Sequence, residues 1–199
     1  IRFDVDSEIV PSLATSVEVV DNLTVQFTIR QGVMFHNGRM MTADDVKQNI
    51  ERVKDPENAS PYGSSLAAVE SVEVVDDEHV VFHLTVPFPG LLGNLTRVPI
   101  IPLEAESEMK TNPVGAGPFK FKDWVSDSHI EYERFDDYWD PEQPRLDSLR
   151  ASFLQDYSSG KASFQSGQQD ILFSIPLIDV TTFESMPGFH APVWQEPQF

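Results

Sequence analysis

The sequence predicts a mixed α/β protein whose first half is rich in β-strand. Three observations carry this. Apolar and polar residues alternate with a period of two in several short stretches of residues 1–105, with one well-capped helix among them. A strand–helix–strand pattern follows over residues 149–175, the unit from which parallel sheets are built. Hydrophobic residues make up 40% of the 199 positions, enough to bury a core and too many for a disordered acidic tail.

Leu23, Val25, Phe27 and Ile29 share one face of a strand, which pairs with Ser16–Val20 across the turn dipeptide Asp21-Asn22. Val33–His36 resumes as a strand before Asn37-Gly38, a hairpin signal. Thr42 and Asp45 then form a capping box with Asp in place of the usual Glu, opening a helix to about Val53 with Val46, Ile50 and Val53 on one face. Asp55-Pro56 ends it. After a loop and a short turn at Ser65–Val69, strands Val69–Val75 and His79–Val86 are joined by Asp76-Asp77-Glu78. Pro87 and Pro89 stop the second strand, and Pro89–Leu95 forms a short helix.

Residues 99–117 gather Pro99, Pro102, Pro113, Gly115 and Gly117, and mark a boundary. The chain therefore divides into 1–105 and 106–199. The second part opens with strands Phe119–Trp124 and Ile130–Phe135 on either side of Asp127-Ser128, followed by an acidic, aromatic loop carrying Tyr138-Trp139. Leu149–Leu154 is a strand, Ser158–Ser166 a helix weakened by Gly160 and several serines, and Asp170–Ile175 a buried strand. Ile178–Ser185 forms a further short helix, and Pro187-Gly188 turns into a last strand.

Charge narrows the function. The 14 Lys+Arg against 32 Asp+Glu give a net charge of −18, spread evenly over both halves. Such a surface repels nucleic acid, favours solubility and fits adaptation to salt. No run approaches the roughly 20 apolar residues of a membrane helix. The lack of cysteine removes disulfides, thiolate catalysis and Cys-ligated metals. His79 and His83 share a strand face about 13 Å apart, too far to hold one ion. No GxSxG or HExxH is present and no feature selects a pair among the many carboxylates, so no cofactor and no catalytic residues are assigned. Asn22, Asn58 and Asn94 stand in Asn-x-Ser/Thr acceptor motifs.

Five phrases now occur in order: Phe27–Gly38 (FTIRQGVMFHNG), Thr42–Val46 (TADDV), Ser60-Pro61-Tyr62, Asn112–Phe119 (NPVGAGPF) and Asp137-Tyr138-Trp139. Leu146-Asp147, Gln165-Ser166-Gly167 and Asp170-Ile171 continue the series. In order and spacing the chain resembles the family 5 extracellular solute-binding proteins, the peptide- and nickel-type receptors of ABC importers, from about Pro11 to Gly188. The resemblance implies an incomplete periplasmic-binding-protein-like type II fold. Residues 1–105 would be the β-rich subdomain of the first lobe and 106–199 part of its α/β core, with the second lobe absent. Ile1 is neither a Met nor part of a signal peptide, which favours a fragment over a shortened relative.

The implied function is solute capture by lobe closure, most readily of di- or oligopeptides, outside the cytoplasm and in partnership with a membrane permease. The implied ligand side comprises Tyr62, Arg97, Gly115, Ala116, Gly117 and Phe119. Tyr62 offers an aromatic face and a hydroxyl to a peptide, or caps the subdomain surface. Arg97, alone between Lys54 and Lys110, suits a ligand carboxylate or an ordinary ion pair. Glycines 115 and 117 permit positive φ and close backbone approach, either beside a ligand or in a tight crossover. Trp124, Tyr138 and Trp139 are assigned mainly to packing; Trp194 has no assignment. His36 belongs to its hairpin rather than to a metal. A protein-interaction module is the alternative function and a carboxylate hydrolase a third. An isolated fragment is expected to bind ligand weakly and to expose an apolar patch through which it dimerises.

Overall fold

The computed structural model describes residues 1–190. Strands β1 (Arg2–Phe3) and β2 (Ile9–Val10) pair as a short antiparallel ribbon, whose turn is held by Asp4 Oδ1 accepting the amides of Asp6 and Glu8. Next come β3 (Ala14–Asp21) and β4 (Thr24–Ile29), then helix α1 (Ala43–Lys54), β5 (Val69–Val74) and β6 (His79–Leu84). The four longer strands form one antiparallel sheet in the order β3-β4-β6-β5.

The alternation read from the sequence explains this sheet. Val25, Phe27 and Ile29 are buried, and the partner β6 adds Val80, Phe82 and Leu84 to the same cluster. The rings of Phe27 and Phe82 meet at 5.0 Å in a tilted pair. Helix α1 lies on β5 and β6 and buries Val46, Ile50 and Val53. Its capping box is present as expected: Thr42 accepts from the Asp45 amide, and the Asp45 carboxylate accepts from the Thr42 amide at 2.8 Å. Asp55 is its C-cap.

The strand expected at Val33–His36 does not form. One bridge, Met34 to Met40, remains of it. The reason is a competing acceptor: the His36 amide donates to Gly115 O at 2.8 Å instead of continuing a ladder. Val33 and Phe35 are nevertheless fully buried, so the segment serves as a core-anchored hairpin.

Helix α2 (Leu91–Leu95) precedes β7 (Phe119–Val125), β8 (His129–Arg134) and β9 (Ser148–Ser152), which make a three-stranded sheet in that order. Two compact units result. The first holds Ile1–Lys122 and Tyr132–Leu149; the second holds Asp123–Glu131 and, of the described residues, 150–190.

In the second unit, α3 (Tyr157–Gln165) starts at Asp156, which accepts the Ser159 amide at 2.8 Å. It packs with α4 (Leu177–Glu184) through Phe164 and Phe183, whose ring centroids lie 5.4 Å apart. Tyr157 and Lys161 both donate to Asp179, at 2.7 and 2.6 Å. Gly160, a poor helix former, has a packing reason: a Cβ there would meet Leu172 Cδ1 at 3.0 Å and Leu154 Cδ1 at 3.3 Å.

The buried strand expected at Asp170–Ile175 is absent. Ser174 turns left-handed at φ 59°, which breaks an extended run, and Ile171 and Phe173 are 62% and 77% exposed. The strand–helix–strand unit therefore stops at its helix. A parallel strand exists only where a neighbour completes its ladder, and the described residues supply none here. The last expected strand and Trp194 lie outside the described residues.

Candidate functional site

The loop through Val114–Phe119 is held at five points. Val114 is buried in the main core, and its amide donates to Met109 Sδ at 3.2 Å. Gly115 O accepts the His36 amide, while the Gly115 amide donates to His36 Nδ1 at 3.2 Å. His36 Nε2 lies 3.0 Å from Gly117 O. The loop leaves toward β7 with Pro118 O accepting the Phe135 amide at 3.0 Å. Phe135 in turn packs edge-on against the His36 ring at 4.9 Å. The hairpin phrase ending His36-Asn37-Gly38 and the glycine loop thus form one local assembly, although 79 residues separate His36 from Gly115.

The expected role of the two loop glycines needs correction. Neither adopts positive φ; Gly32, Gly38, Gly167 and Gly188 do. A Cβ at Gly117 would meet nothing within 4 Å, and one at Gly115 would touch only His36 Cε1 at 3.8 Å. Neither conformation nor packing within the described residues demands glycine at these two positions. Gly117→Ala is accordingly expected to change unfolding free energy by less than about 0.5 kcal/mol. Gly38→Ala, at φ 84°, is expected to cost about 1 kcal/mol or more. Urea titrations of the two variants check the contrast.

Tyr62 and Arg97 fall on another part of the first unit. Tyr62, 37% exposed, sits in the turn before Ser64–Leu66, and its carbonyl accepts both the amide and the hydroxyl of Ser65. Exposed Arg97 follows α2. The two segments are joined by Asn94, whose amide donates to Ser65 O at 2.9 Å. Ala116 and Phe119 are half-buried in the anchored loop. Trp139 packs against the core beneath the Arg30 guanidinium, 3.9 Å from its ring centroid, whereas Trp124 is 52% exposed. His79 and His83 each face a carboxylate, Asp76 and Glu73 respectively, and among the described residues no group of three His, Cys, Asp or Glu is placed to hold a metal.

Two supports of the loop escaped the sequence. Arg39 binds Asp45 with both terminal nitrogens, at 2.9 and 2.6 Å, and reaches Glu104 through Nε at 2.6 Å. Burial pushes the Asp45 carboxyl up, but Arg39 and the bonds from Thr42 outweigh it and hold the group below the usual carboxylate range. Asn49 is fully buried; its amide donates to Asp45 O and Ile101 O at 2.9 and 2.8 Å and accepts from the Ile101 amide at 3.3 Å. Both residues fasten the approach to the loop to α1. The alternation and capping signals that located α1 are silent about partners more than fifty positions away.

The fold is that of the periplasmic binding proteins over part of their length. The binding protein AgaA from A. tumefaciens R10, solved in complex with agropinic acid, superimposes with a TM-score of 0.86 at 31% identity, over 94% of this chain and 39% of that one. DppA from Helicobacter pylori, solved with the peptide STSA, gives a TM-score of 0.81 at 28% identity, over 94% and 42%. Residues 8–198 match the family model described as bacterial extracellular solute-binding proteins, family 5 middle, and the chain belongs to that family. Among curated relatives, the glutathione-binding protein GsiB of Pectobacterium atrosepticum is 29% identical over 189 residues, and the oligopeptide-binding protein AppA of Bacillus subtilis is 32% identical over 186. These matches take in 92% and 87% of this chain but only 37% and 34% of the relatives, so the chain spans little more than a third of their length.

Proposed function

We propose that this chain is part of the solute-capture component of an ABC importer that takes di- or oligopeptides outside the cytoplasm and delivers them to a membrane permease. Residues 1–105 then serve as the β-rich subdomain of the first lobe and 106–199 as part of its α/β core, with the opposing lobe outside these residues. Capture is binding without chemistry: ligand bound to one lobe makes further contacts with the second, and those contacts favour closure. One observation carries the assignment of the ligand side. The backbone of the Gly115–Gly117 loop is anchored on one side by His36 and carries no side chain at Gly117, where a methyl group would find nothing within 4 Å. His36 takes the Gly115 amide and carbonyl and the Gly117 carbonyl, so the part of this strip suited to hydrogen bonding with another backbone is the Ala116 peptide groups and the Gly117 amide. Tyr62 supplies an aromatic face, and Arg97 suits a ligand carboxylate.

A single lobe desolvates little of a ligand. The 199-residue chain titrated calorimetrically with tri- and tetrapeptides is therefore expected to bind weakly, whereas the receptor from the full reading frame is expected to be stabilised against heat by its peptide. In that receptor Tyr62→Ala and Arg97→Ala should each lower affinity by about tenfold. Tight, specific binding by the isolated chain would overturn the two-lobed mechanism. Unchanged affinity in both variants would remove these side chains from the site. In the isolated chain the exposed Ile171, Phe173, Leu177 and Ile178 favour self-association, and sedimentation of Phe173→Asp beside the parent chain measures it.

A further inference from the structure

We propose that His36 is a positioning residue that latches the Gly115–Gly117 loop through its neutral imidazole and lets go of the Gly115 amide when the ring takes up a second proton. The inference deepens the assignment of this loop to the ligand side and rests on it for its functional meaning.

The partners fix the tautomer. Gly117 O can only accept, so the contact at 3.0 Å requires the proton on His36 Nε2. The Gly115 amide can only donate, so the contact at 3.2 Å requires a lone pair on Nδ1. One ring nitrogen donates and the other accepts, a pair of roles that only neutral imidazole can fill. Protonation at Nδ1 points one N–H at another and leaves the Gly115 amide without its acceptor. The Gly117 contact and the backbone bond from the His36 amide to Gly115 O survive, so the loop loses one of its three bonds to His36 and stays tethered through the other two.

The surroundings favour the neutral form. Phe135, following β8, covers the ring edge-on at 4.9 Å. Lys120 on β7 is the charged group that acts on the ring from that strand, and it is paired with Glu133 of β8 at 3.0 Å. Arg39, on the hairpin's own second limb, is occupied by Asp45 and Glu104. Among the described residues no carboxylate is bonded to the imidazole to hold its charge. Burial pushes the His36 imidazole below its ordinary value; the Gly117 carbonyl opposes this and Lys120 adds to it.

The test is a nuclear magnetic resonance titration of the 199-residue chain, labelled with 15N at histidine and glycine, from about pH 7 to pH 5. His36 is expected to show an unprotonated Nδ1 and a protonated Nε2 at the start. As it titrates, the Gly115 amide should shift with the same midpoint, and its protection against hydrogen exchange should fall about fivefold after correction for intrinsic exchange, while Gly63 and Gly90 stay unaffected. His36→Asn, which offers an acceptor near the Nδ1 position, should keep Gly115 protected and abolish the pH dependence. His36→Phe should leave Gly115 unprotected throughout; if that variant does not fold, the titration of the parent chain decides alone. A protonated Nδ1 at neutral pH, or a Gly115 amide indifferent to the His36 titration, overturns the latch. The measurement uses no ligand, so failure of the capture function would leave its result intact, and failure of the latch would leave the peptide titrations unchanged.

Discussion

Exchange of Asn49 for alanine is expected to lower the unfolding free energy by about 3 kcal/mol, a fall in Tm of roughly 6–10 °C. The side chain is completely buried and makes three hydrogen bonds, two of them to the peptide groups of Ile101. Truncation leaves the Ile101 amide and carbonyl without that partner, and each stranded buried group costs about 1–3 kcal/mol. The third bond, to Asp45 O, is the cheaper loss because that carbonyl belongs to the ladder of α1. Asn49→Leu should cost at least as much, since it fills the space with a group that cannot bond. Chemical denaturation followed by circular dichroism measures both. A loss below about 1 kcal/mol would mean that water reaches Ile101 in place of the amide. The same bonds fix the segment that leads from Ile101 toward the glycine loop.

Arg39→Met is expected to cost about 2 kcal/mol at neutral pH. The figure lies between the limits for exposed and buried pairs because the Asp45 side chain is 8% exposed and that of Arg39 36%. The pH dependence is the sharper test. The Asp45 carboxyl titrates lower in the folded chain than the ordinary carboxylate value of about 3.9. Its contribution to stability is therefore complete above that ordinary value and disappears as pH falls through the folded one. Removing Arg39 takes away part of what holds the carboxyl down, so the acid-induced loss that Asp45 contributes should shrink in the variant, and the stability gap between variant and parent should narrow as pH falls through the folded value. Asp45→Asn, which has no carboxyl, should abolish this component. A stability gap between Arg39→Met and the parent chain that stays constant as pH falls would separate the ion pair from the Asp45 titration. Arg39 shares its hairpin with His36, so the variant should also weaken the protection of Gly115.

Local signals located most elements. The Thr42-to-Asp45 box places α1 because capping is decided within one turn, and the alternation at Leu23–Ile29 places β4 because its pattern has one buried side; β6 is an apolar run in which Val81 is buried as well as Val80 and Phe82. The same logic fails at Val33–His36 and Asp170–Ile175. Both have the composition of strands, but one gives its amide to Gly115 and the other has no neighbour to pair with among the described residues. The residues proposed for the ligand side are legible in the sequence as types and not as a constellation. The segments that carry Tyr62 and Arg97 are joined by the bond from Asn94 to Ser65 O, which no local pattern marks, and the glycine loop is held elsewhere by His36.

By itself the sequence determined the class, the acidic surface, the capped helix, the strands of the main sheet and kinship with the family 5 receptors. These follow from periodicity, charge and ordered short phrases, all of which reside in neighbouring residues. Tertiary structure alone decided that His36 holds Gly115 and Gly117, that Arg39 neutralises Asp45, and that the two loop glycines sit at ordinary φ. The physical reason is that a hydrogen bond is specified by the position and direction of its two partners, and chain closure over fifty to eighty residues leaves no trace of that position in either local pattern.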